Sequence, residues 1–384
     1  VAIAALAATG AFAQSSVTLY GVVDAGYNSF SAQDGTSAKL TQKGIGYSAN
    51  DTSRWGMKAV EDIGGGIKAG ATIESTLNGN PRGNFGFKRD ATKASSATDF
   101  SLTGQGNTID AAKLGDRIMT ADLTIGAHTI NAGQQAQPTR SVAVGFQADG
   151  SNFVGNLVGN DSFLTDRIPA VAYTFNAGNG LNLGAAYMNN TKTKDSTTDS
   201  KTANGYALKA EYANGPLAAG GAWTKQTTNN ALNNTAAATL AVKTQLLSPV
   251  GTLANATSSV DTTATVLGVS YDLQPVRVYG QYASVKNEDT IVTAYTNNNK
   301  RHAMSLGARY MIGDSYFFGQ VSTGKNQITG TNTDYDWKGH SFGYKHYLSK
   351  RTLAYVGVGK AEYGTSATTK TVGKETAFGV QHNF

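Results

Sequence analysis

The sequence predicts an all-β protein, a sixteen-stranded antiparallel transmembrane β-barrel with an inward-folded third loop, and three observations lead there. Apolar and polar residues alternate over segments of about ten residues, many times along the chain. The connections between these segments alternate strictly between short turns and long polar loops. No run of eighteen or more apolar residues occurs, so no helix is offered to cross a bilayer.

Alternation is plainest in the second half of the chain. Tyr206, Leu208, Ala210 and Tyr212 form one face, with Lys209 and Glu211 on the other. Leu267, Val269, Tyr271 and Leu273 alternate with Gly268, Ser270 and Asp272, and Met304, Leu306, Ala308, Tyr310 and Ile312 with Ser305, Gly307, Arg309 and Met311. Phe342, Tyr344, His346 and Leu348 make a further stripe. A period of two puts each apolar set on one face of a strand, where lipid can meet it.

The short connections are Glu61 to Gly66, Gly126-Ala127, Asn176 to Gly180, Asn214 to Pro216, Gln274-Pro275, Gly313-Asp314 and Ser349-Lys350, rich in turn-forming residues. The long ones span about 29–52, 78–114, 136–165, 190–203, 228–260, 287–299, 326–336 and 364–372. Seven turns and eight loops make fifteen connections and therefore sixteen strands, the even number expected of a single-chain bacterial barrel. Both termini then lie on the turn side, which is periplasmic.

Composition agrees. There are 45 Gly against 6 Pro, 18 Tyr, no Cys, and a formal charge of +6. The absence of cysteine excludes a disulfide scaffold, and without cysteine the five scattered histidines give no metal-ligand spacing, so no metal or other cofactor is expected. The positive charge is spread without a basic run or stacking aromatics, so nucleic acid is not an expected partner. Residues 1–13 are almost wholly apolar and end in Ala11-Phe12-Ala13, a secretory signal whose charged leading region is missing, so that the mature barrel is expected to cover 14–384.

Three other patterns suggest chemistry that the context rejects. Gly319 to Lys325 reads as a phosphate loop but lacks the closing Ser or Thr and sits inside a strand pattern, not before a helix. Gly268-Val269-Ser270-Tyr271 has Asp272 where a nucleophile elbow needs Gly. None of His128, His302, His340, His346 and His382 lies beside a nucleophile or paired carboxylate, so no catalytic residue is assigned and the chain is not expected to be an enzyme.

Several motifs resemble the trimeric general porins of Gram-negative outer membranes, in the branch seen in β-proteobacteria. Ser16-Val17-Thr18-Leu19-Tyr20-Gly21 with Asp24 resembles the family's first strand. Ser53-Arg54-Trp55-Gly56-Met57-Lys58 followed by Glu61-Asp62-Ile63-Gly64-Gly65-Gly66 resembles its second strand and first turn. The terminus, with Phe378, Val380, His382 and Phe384, resembles the signal read by the barrel-insertion machinery.

The resemblance implies a homotrimer in the outer membrane, in contact with lipid and lipopolysaccharide, whose water-filled channel lets small hydrophilic solutes and anions diffuse passively. It also implies that the third loop, 136–165, folds into the lumen and sets its acids Asp149 and Asp161 across from a basic ladder of Arg54, Arg117 and Arg167. Lys58, Glu74 and Asp24 complete the expected constriction. Arg54 and Lys58 face inward by parity, whereas Arg117 and Arg167 share the parity of the apolar sets that follow them. Inward placement of Arg167 therefore needs a bulge, expected at Pro169. Counting inward charges by strand parity sets Arg54, Lys58, Lys68, Lys209, Arg277, Arg309 and Lys345 against Asp24, Glu74, Glu211 and Glu375, a basic excess that favours anions. The competing readings are a substrate-specific channel, a barrel-anchored adhesin or receptor, and an outer-membrane hydrolase.

Overall fold

The computed structural model describes residues 15–35, 39–77, 114–150, 152–159, 161, 163–191, 202–229, 259–289, 299–328, 334–364 and 370–384. The signal segment 1–13 lies outside them, as does most of the loops expected at 78–114, 190–203, 228–260, 287–299, 326–336 and 364–372.

In chain order the wall comprises β1 (Ser16–Asp34), β2 (Leu40–Tyr47), β3 (Arg54–Gly64), β4 (Ile67–Thr76), β5 (Ile118–Ile125), β6 (His128–Ala136), β7 (Arg167–Asn176), β8 (Leu181–Thr191) and β9 (Thr202–Asn214). It continues through β10 (Leu217–Asn229), β11 (Ser259–Asp272), β12 (Val276–Asp289), β13 (Asn299–Ile312), β14 (Ser315–Ile328), β15 (Asp334–Tyr347), β16 (Thr352–Gly364) and β17 (Thr371–Asn383). Each strand pairs antiparallel with its neighbours, and β1 pairs with β17, so the sheet closes on itself. Segments β2 and β3 both pair with β1, along Ala25–Ala32 and Ser16–Val22 respectively, and are two halves of one strand. The barrel therefore has sixteen strands, and α1 (Pro138–Gly145) is its one helix among the described residues.

All seven expected turns join consecutive strands at one end. The first loop is a correction: strand structure runs to Asp34 and resumes at Leu40, so most of 29–52 belongs to the wall. The strand break falls at residues 48–53, where Asp24 supplies what the ladder lacks. Its carboxylate, wholly buried, accepts the N–H groups of Asn50 (2.7 Å) and Asp51 (2.9 Å) and the Tyr355 hydroxyl (2.7 Å). The stretch that resembled a phosphate loop lies inside β14 and does not open a helix that could hold an anion.

Outward positions are apolar, as with Leu306, Val321, Phe342 and Phe378. The inner wall is not uniformly polar. Ala264, Val266, Ala283, Val285, Ala303 and Trp337 point inward and are buried, because the third loop lies on them. Its Val142, Phe146, Leu157, Val158 and Leu164 complete that apolar layer, and Phe153 packs separately against Phe318 and Tyr355.

Glycines make room for the loop along its path. A Cβ at Gly268 would stand 2.4 Å from the Phe146 ring, at Gly307 2.5 Å from Ala148, and at Gly357 2.5 Å from Phe153. At Gly359 it would meet the Val154 carbonyl oxygen at 1.9 Å. These glycines serve close approach and not turns. Polar anchors reinforce the seat: Arg301 holds Asp161 through two bonds of 2.8 and 3.1 Å, with both side chains about 95 % buried. Arg309 donates to the carbonyls of Ala148 and Gln147, and Lys345 to that of Asp149.

Two expectations follow. Gly359→Val should push the loop toward the pore axis and lower single-channel conductance in planar bilayers while the barrel still folds, as judged by its heat-modifiable gel mobility. Asp161→Asn leaves Arg301 buried without its counter-charge, a loss of about 3–5 kcal/mol that should appear as a lower unfolding temperature in detergent.

Candidate functional site

On the side of the lumen formed by β3, β4, β5 and the neck of the third loop, two guanidinium groups meet one carboxylate, and two more lie within their electrostatic reach. Arg54 opens β3, and its even parity with Lys58 turns both inward, opposite Trp55 and Met57. The break at residues 48–53 sets Arg54 at the strand's inner lip, where it donates to Asp51 (2.9 Å) and to the Thr52 carbonyl (2.8 Å). Glu74 of β4 is the centre of the group. It accepts from Arg117 at 2.5 Å and from the Tyr20 hydroxyl at 3.2 Å, and lies 3.8 Å from Arg54.

Arg117 reaches the lumen without any bulge. Residues 114–117 form a turn, so the alternation that governs Ile118 to Ile125 does not extend back to it. Arg167 corrects the expectation of a bulge at Pro169, because the register of β6 with β7 runs unbroken from Ala136↔Arg167 through Gln134↔Pro169. Without a bulge it keeps the parity of the outward-facing Val171 and Tyr173, and it stands half-buried at the point where the loop rejoins the wall.

Arg140, on α1, is a member of this group that sequence reading passed over, since attention to the loop went to its acids. It donates to the Thr165 carbonyl at 2.6 Å, across the neck of the loop. Burial lowers its pKa, the positive charges of Arg117 and Arg54 lower it further, and Asp51 and Glu74 act in the opposite sense. Asp166, at the same neck, is raised by burial, against the N–H of Arg167 and the charges of Arg167 and Arg140. Arg54, Arg117, Arg140 and Arg167 thus share one electrostatic neighbourhood. Among the described residues Arg140 and Arg167 have no ion pair, and neither has Lys58, which is exposed to the lumen.

The remaining expected residues are elsewhere. Asp149 does not face the arginines: it is fully buried against β15, where its carboxylate accepts from Ser341 (3.0 Å) and Asn156 (3.2 Å). Asp161 is likewise turned to the wall and held by Arg301, and it also accepts the N–H groups of Phe163 and Leu164. Both acids anchor the loop instead of lining the pore. Asp24 supports the break beneath Arg54 and is shielded from the lumen. Of the inward charges counted from parity, Lys209 and Glu211 neutralise one another at 2.8 Å, and Lys345 and Glu375 are buried under the loop. Val380, Phe378 and Phe384 are exposed on the outer face, with Phe378 stacked on Tyr27.

A family model described as Gram-negative porin matches residues 1–366. Outer membrane porin protein 32 of Delftia acidovorans is 30 % identical over an alignment of 368 residues that covers 92 % of this chain and 86 % of that protein. Among solved structures, an anion-selective porin from Comamonas acidovorans aligns with a TM-score of 0.69 at 21 % identity, covering 97 % of this chain and all of that one. The trimer form of OmpT from Vibrio cholerae aligns with a TM-score of 0.61 at 12 % identity, over 96 % of this chain and 99 % of its own. A closed sixteen-stranded wall, a third loop folded into its lumen and these likenesses lead to one assignment: the chain belongs to the Gram-negative porin family and forms a channel in the outer membrane.

Proposed function

We propose that this porin passes small hydrophilic solutes by passive diffusion with a preference for anions, and that Arg54, Arg117, Arg140 and Arg167, with Lys58, set that preference at a constriction formed by the third loop. The single observation that carries the reading is the clustering of Arg54 and Arg117 on one carboxylate, Glu74, with Arg140 and Arg167 in the same electrostatic neighbourhood and without ion pairs among the described residues. Low-dielectric walls focus the resulting positive potential into the aqueous path. The description of the Comamonas acidovorans structure as anion-selective supports the sign.

The size of the effect is moderate. Asp51 lies against Arg54 and Glu74 against Arg117, so two of the four charges are partly cancelled at short range. Salt screens the remainder over about 8 Å at physiological ionic strength, so selectivity falls as salt rises. The family and the fold point to a channel and not to an enzyme.

A homotrimer is the assembly this reading includes. The outer surface of β3 to β6 carries Ala59, Ala71, Ala121 and Ala132 as successive register partners, a flat row that suits contact with a second copy. The trimeric OmpT form is consistent with it.

In planar bilayers under a KCl gradient, the wild-type zero-current potential should carry the sign of anion preference. Arg54→Glu should move it toward cations and Asp51→Asn further toward anions; a wild-type pore already cation-selective in dilute KCl would overturn the assignment. Ala121→Trp should shift the protein from trimer to monomer on native gels in mild detergent, with the barrel still folded.

A further inference from the structure

At the turn end of the lumen, side chains of β12, β13 and β14 form a chain of alternating cations and rings. Arg277 lies over the Tyr279 ring at 5.6 Å, and Arg309 over the same ring at 5.1 Å and over the Tyr316 ring at 5.0 Å. Tyr347 of β15, exposed, continues it 6.3 Å from Tyr316. Strand parity turns these residues inward, and all lie close to turns, about half-way round the wall from Arg54 and Arg117.

Arg277 and Arg309 are register partners, so two guanidinium groups stand side by side on one face of the sheet. Their surroundings differ. Arg309 donates to the carbonyls of Ala148 and Gln147 at 2.7 and 3.1 Å and is occupied in seating the third loop. Arg277 makes one hydrogen bond among the described residues, to the Ser270 hydroxyl at 3.1 Å. Its Nε–H is buried without a partner, as is the hydroxyl of Tyr279. Asp272, across from Arg277 in register, accepts the N–H of Gln274 at 3.0 Å and forms no ion pair with Arg277.

An arginine that served only to hold the wall would have its donors taken up. Arg277 instead keeps an uncompensated charge and stands half-buried, with part of its planar guanidinium toward the lumen. A guanidinium face takes an aromatic ring, and its charge draws an oxyanion. A solute that carries both satisfies the site. An aliphatic acid supplies only the charge, and a neutral ring only the face.

We propose that Arg277, with Tyr279 and Arg309, forms a holding site for aromatic carboxylates at the periplasmic mouth, the solute's ring lying on the lumen side of the Arg277 guanidinium and its carboxylate drawn to the paired charges. The proposal rests on the reading of the protein as an anion-preferring channel, and adds to it a solute class and a second site on the wall opposite the constriction group.

The test uses the purified porin in planar bilayers in dilute KCl, with benzoate, cyclohexanecarboxylate or benzyl alcohol added on both sides. The readout is the concentration that halves the single-channel current. Benzoate and cyclohexanecarboxylate share one charge and nearly one size, so the aromatic face is what separates them. Benzoate should block at a roughly three- to fivefold lower concentration than cyclohexanecarboxylate, and benzyl alcohol should not block in that range. Arg277→Lys keeps the charge and loses the plane, and should bring the two acids to equal blocking concentrations, with heat-modifiable gel mobility showing that the barrel is folded. The ratio between the acids does not depend on the sign of the zero-current potential, so failure of the anion preference and failure of the aromatic site give different results. Equal block by the two acids in the wild type, block by benzyl alcohol at the concentration of benzoate, or a ratio that survives in Arg277→Lys would each overturn the proposal.

Discussion

Every peptide N–H and C=O at the depth of the membrane must find its partner within the chain, and the rest of the molecule depends on that constraint. Closure of β1 onto β17 satisfies it around the seam, where Gly21 and Phe384 exchange both of their backbone bonds at 3.1 Å. At residues 48–53 the ladder is interrupted, and side chains take its place. Asp24 accepts two N–H groups there, the Ser48 hydroxyl accepts the N–H of Ser53, and the Ser53 hydroxyl accepts that of Asp24. Because the break is stabilised in this way, Arg54 begins its strand at the inner lip, and Asn152 of the third loop can dock on the carbonyl of Asn50.

The same economy explains where the acids are. A charged group covered by a loop is costly unless paired, and the wall under the loop offers Arg301, Ser341 and Lys345 as partners. Asp149 and Asp161 are consumed in holding the loop down. What is left on the other side is the basic cluster with its own internal acids, the buried Glu74 and the partly exposed Asp51.

Strand number, turns and the outer face were legible because each depends on a period of two and on local turn chemistry, both visible in consecutive residues. The inner face was only partly legible. Val266, Val285 and Trp337 break the rule of polar-inward residues, and they do so because a segment more than a hundred residues earlier in the chain covers them. Parity placed Arg54 correctly, yet it misjudged the route to Arg117, since parity says nothing about the turn at 114–117. Arg140 could have been found by treating the loop's bases with the same attention as its acids. The roles of Asp149 and Asp161 depended on Ser341 and Arg301, partners 192 and 140 residues away, which no local pattern reveals.

Part of the seat of the third loop is read through its backbone. Gln281 donates to the carbonyls of Val142 and Ala143, Arg309 to those of Gln147 and Ala148, and Lys345 to those of Asp149 and Gly150, while Gly359 gives way to the carbonyl of Val154. Carbonyl oxygens are the same whatever side chain accompanies them. Provided that the buried side chains which also seat the loop, Asp149, Asp161, Phe153 and the apolar layer around Leu157, are kept, its other side chains can be exchanged without unseating it. A single scaffold can then be retuned for a different solute by changing the cargo of the loop and leaving its rail untouched.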